Sequence, residues 1–124
     1  MEPIIEIKHL WKSFGEVKAV QDLSFCVRQG ELFAFLGVNG AGKSTTISIL
    51  CGQLAKDSGE VTVCGQKLDD DLEPILRKLG VVFQNSVLDA PLTVRDNLQS
   101  RAALYGITGK AFQKRLAELA HLLD

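Results

Sequence analysis

Gly37, Gly42, Lys43 and Ser44 stand in the order G-x-x-x-x-G-K-[ST] within the stretch Glu31 to Leu50, ELFAFLGVNGAGKSTTISIL. That order is the Walker A phosphate-binding pattern. Gly37, Gly40 and Gly42 lack a Cβ, so the backbone there can take positive φ and come close to a ligand. N–H groups turned inward, together with the positive end of a helix starting near Lys43, make a cradle for polyphosphate. Lys43 offers an ammonium to the β- and γ-phosphates, Ser44 a hydroxyl to Mg²⁺, and Thr45 a reach to the α-phosphate. The competing reading is a glycine-rich helix entry without a ligand; an apolar run before it and a helical pattern after it favour the nucleotide.

Those groups need elements to hold them. Leu32 to Leu36 is nearly all apolar, as expected of a strand buried on both faces. From Lys43 to about Leu54 the chain reads as a helix with Ile47, Leu50 and Leu54 on its buried face. Val81-Val82-Phe83 is a second apolar run and a second candidate central parallel strand, followed at once by Gln84. In open parallel sheets ligands sit beyond the C-terminal ends of the strands, so Gln84 and the glycine-rich turn are expected at one edge. A polar residue that merely ends a strand is the alternative for Gln84.

Before the motif, Ile5 and Ile7 alternate with Glu6 and Lys8, and Leu23, Phe25 and Val27 alternate with Ser24 and Cys26. Both are period-2 strand patterns, and the short link between them leaves no room for a crossover helix, so the pair is expected to be antiparallel. The link holds Ser13, Phe14, Gly15 and Glu16. Phe14 is either an aromatic covering a sheet edge or a stacking platform for a purine, and pattern alone leaves both open.

After the first helix, Asp57-Ser58-Gly59 reads as a turn, Glu60 to Val63 as a short strand and Gly65-Gln66-Lys67 as a second turn. Asp70 or Asp71 can cap a helix with Glu73 and Pro74 in its first turn, ending near Gly80. Thr93-Val94-Arg95-Asp96 matches a capping box, with Val94, Leu98, Ala102 and Tyr105 on one face of the helix that follows. Gly106 should stop it. Thr108 or Gly109 opens a last helix with an apolar stripe of Phe112, Leu116, Leu119 and Leu123.

Composition narrows the classes. The 124 residues suffice for one domain, and 46% hydrophobic with 23% charged residues is ordinary for a globular protein. A formal net charge of −1 without a long charge run argues against a nucleic-acid partner. Cys26, Cys51 and Cys64 are odd in number and lack a C-x-x-C spacing, so neither a disulfide framework nor a zinc site is implied, and a reducing cytoplasm suits them. No signal peptide and no membrane-spanning run is visible. His9 and His121 read as surface or packing residues.

These motifs together resemble the N-terminal half of an ATP-binding-cassette (ABC) ATPase, the nucleotide-binding subunit of ABC transporters. LGVNGAGKSTT is similar to the ABC form of the Walker A loop, with Asn39 matching and Val38 where proline is frequent. KSFG, Lys12 to Gly15, resembles the A-loop, which implies that Phe14 stacks on adenine. VVFQ, Val81 to Gln84, resembles the Q-loop strand and glutamine, which implies that Gln84 touches Mg²⁺ or the attacking water and relays nucleotide state to a membrane subunit. LTVRDNL, Leu92 to Leu98, resembles the opening of the helical subdomain. AALYGI, Ala102 to Ile107, is similar to multidrug and antibiotic-resistance exporter cassettes.

The resemblance implies an α/β P-loop NTPase core with parallel central strands, an N-terminal antiparallel β subdomain and the start of a helical subdomain. Residues 1–30 and 59–67 correspond to the antiparallel β region, 31–58 and 68–90 to the core, and 91–124 to the helical subdomain. Gly37, Asn39, Gly40, Ala41, Gly42, Lys43, Ser44 and Thr45, with Phe14, are expected to bind ATP or ADP. Ser44 and Gln84 are expected to hold Mg²⁺, and Lys43 and Gln84 to serve the hydrolytic step. Implied partners are transmembrane permease subunits and a second ABC subunit, at the cytoplasmic face of the membrane. The family's L-S-G-G-Q motif, Walker B carboxylates and switch histidine are expected beyond Asp124, so the chain is expected to bind ATP without hydrolysing it. Two alternatives stand beside a transporter ATPase: a non-hydrolysing nucleotide-binding module, and a soluble ABC protein.

Overall fold

The structure, a computed structural model, describes residues 2–37, 42–82 and 88–123. The expectations for Val38 to Ala41 and for Phe83 to Val87, including Asn39, Gly40, Ala41 and Gln84, lie outside the described residues. The chain divides into two compact units, residues 1–80 and 81–124.

In the first unit, β1 (Ile5–Phe14) and β2 (Val17–Val27) form the antiparallel hairpin that their alternation requires. The strands are longer than the pattern alone indicates: Ser13 and Phe14 belong to β1, and only Gly15 and Glu16 turn. β3 (Ser58–Val63) pairs antiparallel with the other edge of β1, and β4 (Gln66–Lys67) with β3, giving the sheet order β2-β1-β3-β4. Ser58 thus begins a strand rather than completing a turn, and Gln66 and Lys67 pair rather than turn. The β3–β4 link is Cys64-Gly65, with φ of 51° and 77°. Two consecutive left-handed residues make the type I′ geometry that matches the twist of a hairpin.

The hairpin is irregular where it matters. His9 and Asp22, both left-handed with φ of 50° and 47°, mark register shifts, one on each strand. The His9 N–H donates to Ser24 Oγ at 2.8 Å, and His9 Nδ1 meets Asp22 Oδ1 at 2.6 Å across the exposed face. A third shift follows: Lys12 pairs with Val20 but Ser13 with Lys18, leaving Ala19 without a partner. Such a bulge re-aims the chain toward its end.

α1 (Lys43–Leu50) and α2 (Glu73–Lys78) complete the first unit. Its core joins Ile7, Leu10 and Val20 of the hairpin to Ile49 and Leu50 of α1, Val61 and Val63 of β3, and Ile75 of α2. Each fully buried aliphatic side chain stabilises by about 1.5–3 kcal/mol relative to exposure. α1 is shorter than expected, and its buried face is Thr46, Ile49 and Leu50; Ile47 turns outward. The left-handed Gly42 sets the phase of that helix and so which residues face the sheet. Asp71, not Asp70, serves the start of α2, its Oδ1 accepting from the Glu73 N–H at 3.2 Å.

The expected strand at Leu32 to Leu36 carries no ladder pairing, and Leu32 is fully exposed. Val81 and Val82 are likewise unpaired. A strand exists through its hydrogen-bonded neighbour, and neither run has one among the described residues. Phe33 and Phe35 instead lean on β2, where Phe25 stacks on Phe33 with centroids 4.9 Å apart.

The second unit contains α3 (Val94–Leu104) and α4 (Gly109–Leu123). Thr93 caps α3 as its sequence requires, Oγ1 accepting from the Asp96 N–H at 3.1 Å. The expected apolar face is not the buried one: Val94, Leu98 and Tyr105 are exposed, and Asn97 is buried. Its amide accepts from Asp89 N–H at 2.8 Å and donates to the carbonyls of Asp89, Leu92 and Thr93. Gly106 ends α3 with φ 78°. In α4 Phe112 is buried, while Leu123 is exposed.

Candidate nucleotide site

The site is built where the end of the β1–β2 hairpin meets the start of α1. Gly42, at the N-cap of α1, has φ 85° and ψ 10°, a left-handed conformation. It is buried against the hairpin: a Cβ placed on it would stand 2.3 Å from the Ala19 carbonyl oxygen and 3.2 Å from Val20 Cγ2. Both conditions demand glycine, the first by backbone conformation and the second by space. The unpaired Ala19 of the bulge is therefore the surface on which Gly42 rests.

From Gly42 the helix runs into the core. The Thr46 N–H and Oγ1 both donate to the Gly42 carbonyl, at 2.9 and 2.8 Å, fixing the first turn from within. No side chain caps the N-terminus of α1, and no acidic residue lies in its first turn. Within α1 itself no carboxylate competes for the amide donors and the positive end of the helix. The Lys43 ammonium donates to the Gly37 carbonyl. The structure thereby brings together Gly37, Gly42 and Lys43. Ser44 is exposed on the first turn and Thr45 half-buried beside it. A glycine that a Cβ would jam, a helix start free of acid, an ammonium and a hydroxyl together suit a polyphosphate with a divalent cation.

Phe14 ends β1 opposite Val17 and is 48% exposed, a ring half free on the hairpin end. Lys12 places its ammonium 5.2 Å from the ring centroid. Asp57, preceding β3, accepts the Ser13 N–H at 2.7 Å through Oδ2 and the Lys12 ammonium at 3.4 Å through Oδ1. The Ser13 N–H holds the Asp57 carboxyl below its ordinary value, outweighing the opposing effect of desolvation, and Lys12 adds to it. Sequence reading singled out none of Ala19, Lys12 and Asp57 as individual residues. A bulge position leaves no compositional trace, and Asp57 acts through a partner 44 residues away.

Beyond the site, His9 is on the surface as expected, and among the described residues no group of three or more His, Cys, Asp or Glu side chains can hold a metal. None of the described helices is long and apolar enough to cross a membrane.

Comparison with known proteins fits this geometry. The sequence profile of the ABC transporter family matches residues 20–124. The chain is 38% identical over 119 residues to the probable multidrug ABC transporter ATP-binding protein YbhF of Escherichia coli (strain K12), covering 96% of this chain and 21% of that protein. It is 37% identical over 116 residues to the linearmycin resistance ATP-binding protein LnrL of Bacillus subtilis (strain 168), covering 94% of this chain and 37% of that one. The chain therefore spans well under half the length of these relatives. A solved ATP-binding subunit of an ABC transporter superposes with a TM-score of 0.83 at 31% identity, over 95% of this chain and 49% of the other. The α/β fold is that of the N-terminal portion of such a subunit, and the chain belongs to the ABC transporter family.

Proposed function

We propose that this chain carries the nucleotide-binding part of an ABC transporter ATPase that couples ATP binding and hydrolysis to transport, in the export direction, through separate membrane subunits. The observation that carries the reading is the junction of Gly42, Lys43 and Gly37, where a glycine that tolerates no Cβ opens a helix whose first turn holds no acid and whose lysine reaches back to the Gly37 carbonyl. In this reading Gly37, Asn39, Gly40, Ala41, Gly42 and Thr45 surround the phosphates, Lys43 neutralises them, and Phe14 stacks on adenine. Ser44 and Gln84 would hold Mg²⁺, which when bound would supply charge stabilisation to the phosphates.

Residues 1–30 and 59–67 serve as the antiparallel β region, 31–58 and 68–90 as the P-loop core, and 91–124 as the opening of the helical subdomain. Transmembrane permease subunits and a second ABC ATPase subunit are the partners, at the cytoplasmic face of the membrane. The export direction is supported by relatives named for multidrug transport and linearmycin resistance. Phosphoryl transfer asks for an oriented water as well as positioned phosphates. The first turn of α1 holds no acidic residue to orient a water, and in this reading the 124-residue chain binds Mg·ATP without turning it over.

Titration calorimetry of the chain with Mg·ATP, alongside a phosphate-release assay, tests the reading. Saturable binding that Lys43→Ala removes, without phosphate release, supports it. Absence of binding, or hydrolysis that depends on Lys43, overturns the corresponding part.

A further inference from the structure

We propose that Asp57 and Lys12 form a clamp that presents one face of the Phe14 ring to a nucleobase and covers the other, making both of them positioning residues for base stacking. This inference rests on the reading of the junction as a nucleotide site, and it gives roles to two residues that had none: Asp57, outside the motifs, and Lys12, the first residue of KSFG.

The argument begins at the end of the sheet. The last register pair between β1 and β3 is Trp11 with Ser58, so Lys12, Ser13 and Phe14 run beyond the β3 ladder. Asp57 takes over where the ladder stops. Its N–H donates to the Trp11 carbonyl at 3.0 Å, its Oδ2 accepts from the Ser13 N–H, and its Oδ1 receives the Lys12 ammonium. Three consecutive residues before Phe14 are tied to one aspartate.

Lys12 carries the constraint on to the ring. Its side chain is only 13% exposed, and its ammonium lies over Phe14 within the range of a cation–π contact. A lysine held at both ends of its charge, by carboxylate and by ring, loses little further freedom when a ligand arrives. Phe14 nevertheless stays half exposed, so an incoming planar base has a ring surface to stack on that Lys12 does not occupy. Setting the ring beforehand removes an ordering cost from binding. A mere end-staple of the sheet has no reason to route its cation over an exposed aromatic ring.

The test compares Mg·ATP with Mg·tripolyphosphate, which presents phosphates and no base, on the complete chain. Asp57→Asn keeps an acceptor for the Ser13 N–H and removes the charge; Lys12→Met keeps the stem and removes the ammonium. Each should weaken ATP by roughly two- to fivefold, the order expected of an exposed cation–π contact. Tripolyphosphate affinity should not move. Lys12→Arg, which restores a cation over the ring, should return ATP affinity toward that of the unsubstituted chain, and neither loss should persist in a Phe14→Ala background. Equal losses for both ligands, losses that add fully to Phe14→Ala, or no loss at all overturn the clamp. Lys12→Met carries the comparison by itself should Asp57→Asn unfold. ATP binding that responds to Phe14→Ala but ignores Asp57 and Lys12 defeats the clamp alone. A chain that binds no ATP defeats the nucleotide site and the clamp together.

Discussion

Gly42 lies against Ala19 so closely that a Cβ on it would stand 2.3 Å from the Ala19 carbonyl oxygen. The N-cap glycine of α1 and the unpaired residue of the hairpin bulge are one contact, and through it the hairpin bearing Phe14 is fixed to the helix bearing Lys43. Gly42→Ala should therefore damage both function and stability. The left-handed conformation costs an L-residue about 1–2 kcal/mol, and displacement of the Ala19 backbone adds to that. Thermal unfolding should show a midpoint lower by several degrees, with Mg·ATP binding lost; an unchanged midpoint would contradict the packing of Gly42 on the bulge.

Lys43→Ala isolates charge from fold. The ammonium donates to the Gly37 carbonyl and lies outside the hydrophobic core, so its removal should leave the unfolding midpoint nearly unchanged. Loss of a charge-assisted hydrogen bond to phosphate is worth roughly 1.5–3 kcal/mol, on the order of ten- to a hundredfold in affinity. Calorimetry on the variant checks it.

Phe14→Ala should separate base from phosphates. Aromatic pairs contribute about 0.5–1.5 kcal/mol beyond area, so ATP should weaken by roughly three- to tenfold while Mg·tripolyphosphate binds as before. Equal effects on the two ligands would return Phe14 to the role of a sheet-edge cover.

Asn97 governs the second unit. Alanine in its place removes the side-chain acceptor of the Asp89 N–H and the side-chain donor to the Leu92 carbonyl, while the Asp89 and Thr93 carbonyls keep the N–H groups of Leu92 and Asn97; a penalty of roughly 1–3 kcal/mol is expected. Asn97→Asp should be worse, because a carboxylate would face three carbonyl oxygens with no hydrogen to offer. Hydrogen exchange at Asp89 and along α3 should rise in the order unsubstituted, Ala, Asp; the reverse order for the two variants would refute the donor role.

Asp57 predicts an acid transition. Its folded-state pKa is lowered, so the stability it confers is present above the ordinary carboxylate value of 3.8 and is lost as pH falls through the lower folded value. Trp11 is the sole tryptophan, and its carbonyl accepts the Asp57 N–H, so its fluorescence reports this corner directly. Between about pH 4 and pH 2, denaturant stability should fall more steeply for the unsubstituted chain than for Asp57→Asn. Parallel profiles would show that the carboxylate is not held by Ser13 and Lys12.

Local rules were legible in the sequence because they operate over a few residues. The hairpin followed from alternation at Ile5, Ile7, Leu23, Phe25 and Val27, and the cap of α3 from Thr93 and Asp96. What failed were statements about which face is buried. Ile47, Val94, Leu98 and Tyr105 have helical spacing yet lie exposed, because burial is decided by what packs opposite and not by periodicity alone. Leu32 to Leu36 has the composition of a central strand, but composition supplies no hydrogen-bonding neighbour.

By itself, then, the order of residues determined the Walker A spacing, the family it points to and the approximate places of the hairpin and the helices, since each depends on backbone conformation and short-range spacing. Only the tertiary structure decided that Ala19 supports Gly42, that Asp57 reaches back to Lys12 and Ser13, and that Asn97 rather than an apolar stripe fills the start of α3. Those three relationships join residues that bulges, capping turns and sheet register bring into contact, and no short-range rule connects them.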